Sequence, residues 1–310
     1  MEINFSVVIP LYNKEAYVLK TLNSVLNQTY QNFEVIIVND CSTDNSLNVV
    51  QKIDDSRLRI IKHNKNKGLS ASRNTGIKAA THPYIAFLDS DDQWDTIFLE
   101  TIGNLIKEFP NEHVFATHYR ENFKGKFFIP KSNLPKNSKG KMLLVRDFFK
   151  INLGRLILTQ SCIVVHKSIF EKVGYYDEDV TFAEDIDFYV RCFCTYNLAY
   201  YNDVRHTKNA AIFGSISNSA SYKKIFPKFH KYLNYSDSLD KFINFYIYCI
   251  YRRLKNESAR KEMRFYRKQI KFKSLSVLQI LFIYLPLPFY LFLIRIKKRL
   301  LNKGYHVSSY

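Results

Sequence analysis

Acidic residues are scarce at one end of this chain. Residues 219–310 hold 4 Asp/Glu against 20 Lys/Arg, whereas residues 1–218 hold 24 against 26. The net charge of +18 therefore belongs to the C-terminal third, and the front is nearly neutral. Glycine is sparse, 9 in all and none between residues 10 and 20, which argues against a Gly-rich phosphate loop after the first apolar segment. The 5 cysteines (Cys41, Cys162, Cys192, Cys194 and Cys249) are odd in number and form no CxxC pair. Neither a disulfide framework nor a zinc site is suggested, so a reducing compartment is the expectation. The opening MEINFSVVIPLYNKE lacks a basic segment ahead of its short apolar run. No secretory leader is expected, and the catalytic part is assigned to the cytoplasm.

What is present is a substantial apolar content. Hydrophobic residues make up 46% of 310 residues, enough for one large α/β domain and an appendage with a sizeable core. The basic third is also rich in Tyr, Phe, Leu and Ile and contains the longest uncharged run. Basic and strongly apolar together suit an anionic membrane surface better than a duplex, so nucleic acid is not expected as a partner.

The first 120 residues alternate between β-rich runs and helix-like stretches. Strands are expected at 5–9, 33–38, 58–61 and 84–88, with helices at about 14–27, up to about 53, and at 69–80. Uninterrupted runs such as Val35-Ile36-Ile37-Val38 indicate strands covered on both faces, and the alternation implies βαβ units with a largely parallel sheet. Beyond Trp94 the pattern loosens. Strands are expected at 113–118 and 161–165 and a helix at 186–194, while the basic stretch 124–141 reads as a mobile loop over a site. The composition shifts near Asn218, which divides the chain into residues 1–218 and 219–310.

Ligands of parallel α/β sheets bind at the C-terminal strand ends, and three acidic or polar clusters lie there. They are Asn39–Asp44, Asp89-Ser90-Asp91-Asp92 and Glu184-Asp185. Each alone is compatible with helix capping. Three carboxylates within four residues, however, repel one another unless a cation offsets them. Oxygens at i and i+2 suit Mg²⁺ or Mn²⁺, which bridges readily to a diphosphate.

The blocks SVVIPLYNKEAYVLKTLNSVLNQTY, FEVIIVNDCSTDNS, NKGLSASRNTGIKAA, YIAFLDSDDQW and the pair at 184–185 together resemble the family-2 glycosyltransferases, over about residues 5–195. The resemblance implies a GT-A-type nucleotide-binding fold with a mostly parallel central sheet, extended by a basic, apolar helical region. It implies an inverting transferase that uses a nucleotide-sugar donor, with UDP- ahead of GDP-linked and the base left open, and a divalent metal, Mn²⁺ or Mg²⁺. Pro10, Tyr12 and Glu15 would lie against the nucleotide, with Tyr12 either packing on the base or a surface aromatic. Asp40 would accept a base N–H. Arg73 would stand beside the nucleotide or pair with one of the acidic clusters. Asp89 and Ser90 would face the donor, Asp91 with Asp89 would hold the metal, and Asp92 would cap the next helix. Asp185 would be the general base, supported by Glu184.

The chain departs from the family pattern near the end of the catalytic region. Ser215-Ile216-Ser217 has Ile212 where many relatives carry a His, so either His206 fills that role or the contact is missing and His206 is a loop residue. The run Leu275–Ile294 has no charge but is broken by Pro286 and Pro288 and flanked by Lys and Arg on both sides. A re-entrant or interfacial pair of helices is expected rather than a span. The expected placement is peripheral or monotopic on the inner face of the plasma membrane, with a glycan or polyprenyl-linked acceptor. A non-enzymatic membrane-associated module for nucleotide-sugar or carbohydrate is the alternative.

Overall fold

The computed structural model describes residues 2–210 and 223–302. It divides into two compact units: residues 2–151, 155–210 and 225–227, and residues 152–154, 223–224 and 228–302.

The first unit is built on a 10-stranded sheet. Its strands are β1 (Phe5–Leu11), β2 (Phe33–Asn39), β3 (Leu58–Lys62), β4 (Tyr84–Phe87), β5 (Gln93–Trp94), β6 (Val114–Phe123), β7 (Lys126–Phe128), β8 (Met142–Val145), β9 (Ile163–His166) and β10 (Leu198–Asn209). Their order is β3-β2-β1-β4-β9-β6-β10-β5, with β7 on β6 and β8 on β10. From β3 to β4 every pairing is parallel. Beyond β4 the sheet turns mixed: β9 is antiparallel to both β4 and β6, while β6 and β10 are parallel. Every residue of β1 is buried, as a strand covered on both faces requires.

Helices α1 (Val18–Leu26), α2 (Ser46–Gln51) and α3 (Leu69–Ala79) supply the crossovers. Helix α1 turns Val18, Leu22 and Val25 inward, the i, i+4, i+7 stripe of an amphipathic helix. Helix α3 lies so close to β1 that a Cβ on Gly76 would come within 2.3 Å of Val8 Cγ1. Helices α4 (Phe98–Glu108), α5 (Phe148–Ile151), α6 (Ile169–Val173) and α7 (Glu184–Phe193) complete the unit. The stretch 124–141, expected to be an open loop, carries β7 and a 3-10 turn. It is tied to Asn202, whose side chain donates to Ser138 Oγ (2.8 Å) and whose carbonyl accepts from the Gly140 amide (2.9 Å).

The second unit contains α8 (Asp237–Asn256), α9 (Arg260–Gln269), α10 (Val277–Tyr284) and α11 (Leu287–Asn302). Its core is the inner face of α8, including Phe242, Ile243, Tyr248 and Leu254. The apolar run 275–294 is two helices separated at Leu285-Pro286, because a proline cannot continue the helix before it. Among the described residues no helix is long and apolar enough to cross a membrane.

Gly76→Ala is expected to destabilise the first unit by about 1–3 kcal/mol despite its better helix propensity, because overpacking outweighs that gain. Val8→Ala in the same chain should restore part of the loss. Chemical denaturation of the single and double variants measures both.

Candidate active site

The loops that follow β1 and β2 are laced together by polar contacts. Asn13 Oδ1 accepts from the Thr43 amide (2.8 Å), the Lys14 amide donates to Ser46 Oγ (2.7 Å), and the Glu15 amide donates to Asp44 Oδ2 (3.1 Å). Glu15 Oε2 accepts from the Asn45 amide in return (2.8 Å). Asn13 and Cys41 adopt left-handed backbone, with φ of 50° and 60°, which tightens both turns at some conformational cost. Pro10 is buried in β1 opposite Val38, and Tyr12 stands 45% exposed beside the clasp.

Asp40, at the end of β2, is buried. Its Oδ1 accepts from the Lys67 amide and its Oδ2 from the Gly68 amide, both at 2.8 Å. His63 Nδ1 lies 2.7 Å from Oδ1, and His63 Nε2 lies 3.0 Å from Thr75 Oγ1. Asp40 thus fixes the turn that launches α3, a turn whose φ of +91° at Gly68 favours glycine.

From that start α3 directs polar side chains toward residues more than 100 positions later. Asn74 Nδ2 donates to the Tyr176 carbonyl (2.9 Å) and to Glu178 Oε1 (2.8 Å), and its Oδ1 accepts from the Tyr176 amide (3.0 Å). Arg73 is 2% exposed. Its Nη1 donates to Glu184 Oε1 (2.8 Å), its Nη2 donates to Asp89 Oδ1 (2.9 Å), and it stacks over the Tyr176 ring (5.4 Å). Of the two roles open to Arg73 from sequence, the structure has the ion pair, and with both acidic clusters at once. Burial works against its charge, but Asp89 and Glu184 more than offset this and raise its pKa.

The Asp89–Asp92 turn sends its side chains to different places. Asp89 reaches Arg73, and Ser90 is buried. Asp91 pairs with Lys14 Nζ at 2.7 Å, a partner that sequence reading did not single out. Asp92 does not cap a helix. Its Oδ2 accepts from Ser161 Oγ (2.7 Å) and lies 3.1 Å from His206 Nε2, while its Oδ1 accepts from the Asn209 amide (2.9 Å). Ser161 Oγ also accepts from the Asp89 amide (3.1 Å), and its carbonyl accepts from the Trp94 indole (2.6 Å). His206 is fully buried on β10, so it is neither a loop histidine nor open to a ligand. Burial opposes its charge, yet hydrogen bonds to Asp92 and Cys162 raise its pKa to about 9. Ile212 and Ser215-Ile216-Ser217 lie outside the described residues.

Asp185 sits in the first turn of α7, behind Ala183, which holds a left-handed φ of 62°. Its Oδ1 accepts from the Ile186 amide (2.8 Å). Burial and the neighbouring Glu184 push its carboxyl up to about 6, against the pull of Arg73 and Lys208. Asp91 is likewise pushed up to about 6, by burial and then by Asp92. Lys208, opposite Glu121 in the β10–β6 register, is raised despite burial by Asp92, Glu121, Asp185 and Asp89. No motif marks Lys208 in the sequence; only its place on β10 reveals it.

A divalent cation of the Mg²⁺ or Mn²⁺ type takes oxygen ligands, often one or two carboxylates with phosphate and water completing the shell. Among the described residues no three metal-binding side chains converge. Asp89 Oδ2 and Asp91 Oδ1 are not the oxygens that bind Arg73 and Lys14. These two carboxylate oxygens are of the hard type such an ion takes.

A parallel half-sheet with paired carboxylates beyond its strand ends defines a GT-A-type fold of the nucleotide-sugar enzymes. The chain belongs to glycosyl transferase family 2, whose model matches residues 6–174. It is 40% identical over 140 residues to the Escherichia coli UDP-Glc:alpha-D-GlcNAc-diphosphoundecaprenol beta-1,3-glucosyltransferase WfaP, covering 44% of this chain and 55% of that one. It is also 40% identical over 97 residues to the Bacillus subtilis protein named putative teichuronic acid biosynthesis glycosyltransferase TuaG, covering 31% of this chain and 38% of that one. The chain thus spans about half the length, or less, of these curated relatives. Staphylococcus aureus TarS 1–349, solved in complex with UDP-GlcNAc, matches with a TM-score of 0.60 at 19% identity, covering 92% of this chain and 77% of that one. At that identity the likeness speaks to fold.

Arg73→Met is expected to lower stability by about 3–5 kcal/mol, since it leaves Asp89 and Glu184 without their shared counter-charge. Arg73→Lys should recover only part, because an ammonium cannot fork between two carboxylates as a guanidinium does. Thermal unfolding of the two variants beside the parent reads the difference.

Proposed function

We propose that the chain is an inverting glycosyltransferase. It moves a sugar from a nucleoside-diphosphate sugar, UDP- ahead of GDP-linked, to a hydroxyl of a glycan or polyprenyl-linked acceptor in bacterial surface polysaccharide or glycolipid synthesis. The observation that carries this reading is the Arg73 fork, which joins the Asp89–Asp92 turn to the acidic first turn of α7 within 2.9 Å on either side. Donor-side carboxylates and a candidate base thereby belong to one site. The relatives support the chemistry: WfaP is named for a UDP-sugar donor and a lipid-diphosphate acceptor, and TarS was solved with UDP-GlcNAc.

In this reading Pro10, Tyr12, Glu15 and Asp40 form the nucleotide side, with Asp89 and Ser90 toward the sugar-phosphate. Asp185 accepts the proton of the acceptor hydroxyl as that oxygen attacks the anomeric carbon. The bond to the diphosphate breaks on the opposite face, so the sugar is inverted without a covalent enzyme intermediate. Glu184, held by Arg73, keeps the first turn of α7 in place. Asp91 and Asp89 would hold Mn²⁺ or Mg²⁺, which when bound supplies positive charge to the departing diphosphate. Lys14 and Lys208 keep the remaining carboxylates near that diphosphate from repelling it outright. With a polyprenyl-linked acceptor, this reading has the protein peripheral or monotopic on the inner face of the plasma membrane.

Incubation with a panel of UDP- and GDP-sugars, with and without Mn²⁺, tests the reading through release of nucleoside diphosphate. One donor should turn over in a metal-dependent way. Asp91→Ala should abolish that dependence together with most activity, and Asp185→Asn should slow transfer by roughly 10²–10⁴-fold. Failure of every donor to bind or turn over would remove the transferase reading.

The acid limb of kcat/KM is a separate check. A base must be ionised to accept a proton, and the Asp185 carboxyl is raised to about 6. The rate should therefore fall as pH drops through about 6. A flat profile between pH 5 and 8 would exclude Asp185 as the base.

A further inference from the structure

Helices α10 and α11 present an apolar side that their own packing leaves uncovered. Val277, Leu281 and Tyr284 on α10 are 85%, 55% and 64% exposed, and Phe289, Phe292 and Leu293 on α11 are 66%, 57% and 43% exposed. The spacing 277, 281, 284 keeps one face of a helix, as does 289, 292, 293. The opposite side is firmly held. Ile283 and Tyr290 are buried, and the Tyr290 hydroxyl donates to the Arg252 carbonyl at 3.3 Å. Lys255 donates to the carbonyls of Phe282, Ile283 and Leu285 at 2.8, 3.0 and 2.7 Å. It thereby satisfies the carbonyls that the helix loses where Pro286 breaks it. Burial and the charge of Arg267 lower the Lys255 pKa to about 8. The hairpin therefore has one side fastened to α8 and one side open and apolar.

The charge around it is predominantly positive, with Glu262 on α9 and Asp240, 3.6 Å from Lys271, as acids of the same unit. After Glu262 the chain contains no Asp or Glu and 10 Lys/Arg. Lys273, Arg295 and Arg299 flank the two helices and are exposed, as are Arg264 and Lys268 on α9. So many exposed large apolar residues on two consecutive helices are unusual on a soluble monomer. A second copy is a poorer cover for it, since a two-fold contact would set these cations against one another, and the few acids of the unit include Asp240, already 3.6 Å from Lys271. Among the described residues neither helix is by itself long and apolar enough to span. α10 has 8 residues, about 12 Å at 1.5 Å per residue, against roughly 30 Å of hydrocarbon.

We propose that the α10–α11 hairpin is an interfacial membrane anchor. It lies in the headgroup region of an anionic bilayer, with the apolar side of both helices in the acyl boundary and the flanking cations on lipid phosphates. This deepens the membrane placement proposed above and rests on that reading for the lipid-borne acceptor, but its test reads lipid binding without any turnover.

The full chain is floated with vesicles of phosphatidylcholine alone and with phosphatidylglycerol-rich vesicles. Binding is expected only to the anionic vesicles, and raising the salt should weaken it. Leu281→Glu with Phe292→Glu, both at exposed positions, should retain the parent's circular dichroism and lose binding by about tenfold or more. Nucleotide release with a soluble acceptor should survive in that variant, which separates failure of the anchor from failure of the transferase reading. Equal flotation of parent and variant, or no binding of the parent to anionic vesicles, would overturn the proposal. So would a lipid-free dimer that the same substitutions dissociate, because the face would then belong to a second copy.

Discussion

A buried guanidinium between two acidic clusters is the constraint on which the first unit depends. Taking Arg73 out of water would be prohibitive for a lone cation, and a single carboxylate partner often fails to repay that desolvation. Two partners at 2.8 and 2.9 Å, and an aromatic face at 5.4 Å, change the balance. The arrangement also demands that α3 sit at one depth and one rotation. Gly76 permits the depth by leaving room for Val8. Asp40 fixes the start of the helix through the amides of Lys67 and Gly68. Asn74, one residue after Arg73, ties down Tyr176. The block NKGLSASRNTG is thus a set of positional requirements on one helix.

The Asp89–Asp92 turn carries a comparable burden for the other half of the sheet. Asp89 belongs to Arg73 and Asp91 to Lys14, but Asp92 turns inward to Ser161, His206 and the Asn209 amide. Those partners lie before β9 and on β10, so one carboxylate joins elements 69 and 114 residues away. Burial alone would raise Asp92. The hydrogen bond from His206 instead brings it below its usual range, and each partner thereby keeps the other charged.

These relations explain what could be read from sequence and what could not. β1, β2 and β4 were legible because both of their faces are covered, which makes their residues largely apolar, and the edge strand β3 showed only as the short run Leu58–Ile61. The clusters after β2 and β4 were legible because acidic residues concentrate there. β10 was not, since YYNDVRHTKN is mostly polar with no apolar alternation, Val204 being the one aliphatic residue after the two tyrosines, and His206 on it faces Asp92. Such a strand reads as a loop. His206 and Lys208 inherited that misreading: one is a buried ion-pair partner and the other stands among carboxylates. Lys14 read as the start of a helix because nothing local says that its amine reaches Asp91. The helix cap assigned to Asp92 failed because β5 intervenes before α4, leaving no helix there to cap. In the second unit the prolines were legible as a break, but Lys255 as the donor to that break was not, because it lies 27–30 residues away.

The charges of the site do not fully cancel, and this bears on the proposed chemistry. Asp89, Asp91, Asp92, Glu184 and Asp185 face Arg73, Lys14, Lys208 and His206. The strong partnerships go to Asp89, Asp92 and Glu184. Asp91 has a lysine yet remains pushed up to about 6, and Asp185 is raised equally with no ion-pair partner of its own among the described residues. Its one hydrogen bond comes from the Ile186 amide in the first turn of α7, where the helix dipole favours a carboxylate by typically 0.3–1 kcal/mol. Ala183 pays for that position with a left-handed backbone worth about 1–2 kcal/mol. Strain of this kind persists only where surrounding contacts over-determine it, and Arg73 on Glu184 is such a contact. A carboxyl held in this way, with its proton affinity moved toward neutrality, suits a base that must be ionised before attack and protonated after it. The fork on Arg73 therefore does two things: it stabilises the fold through Glu184, and it leaves the adjacent Asp185 under-compensated.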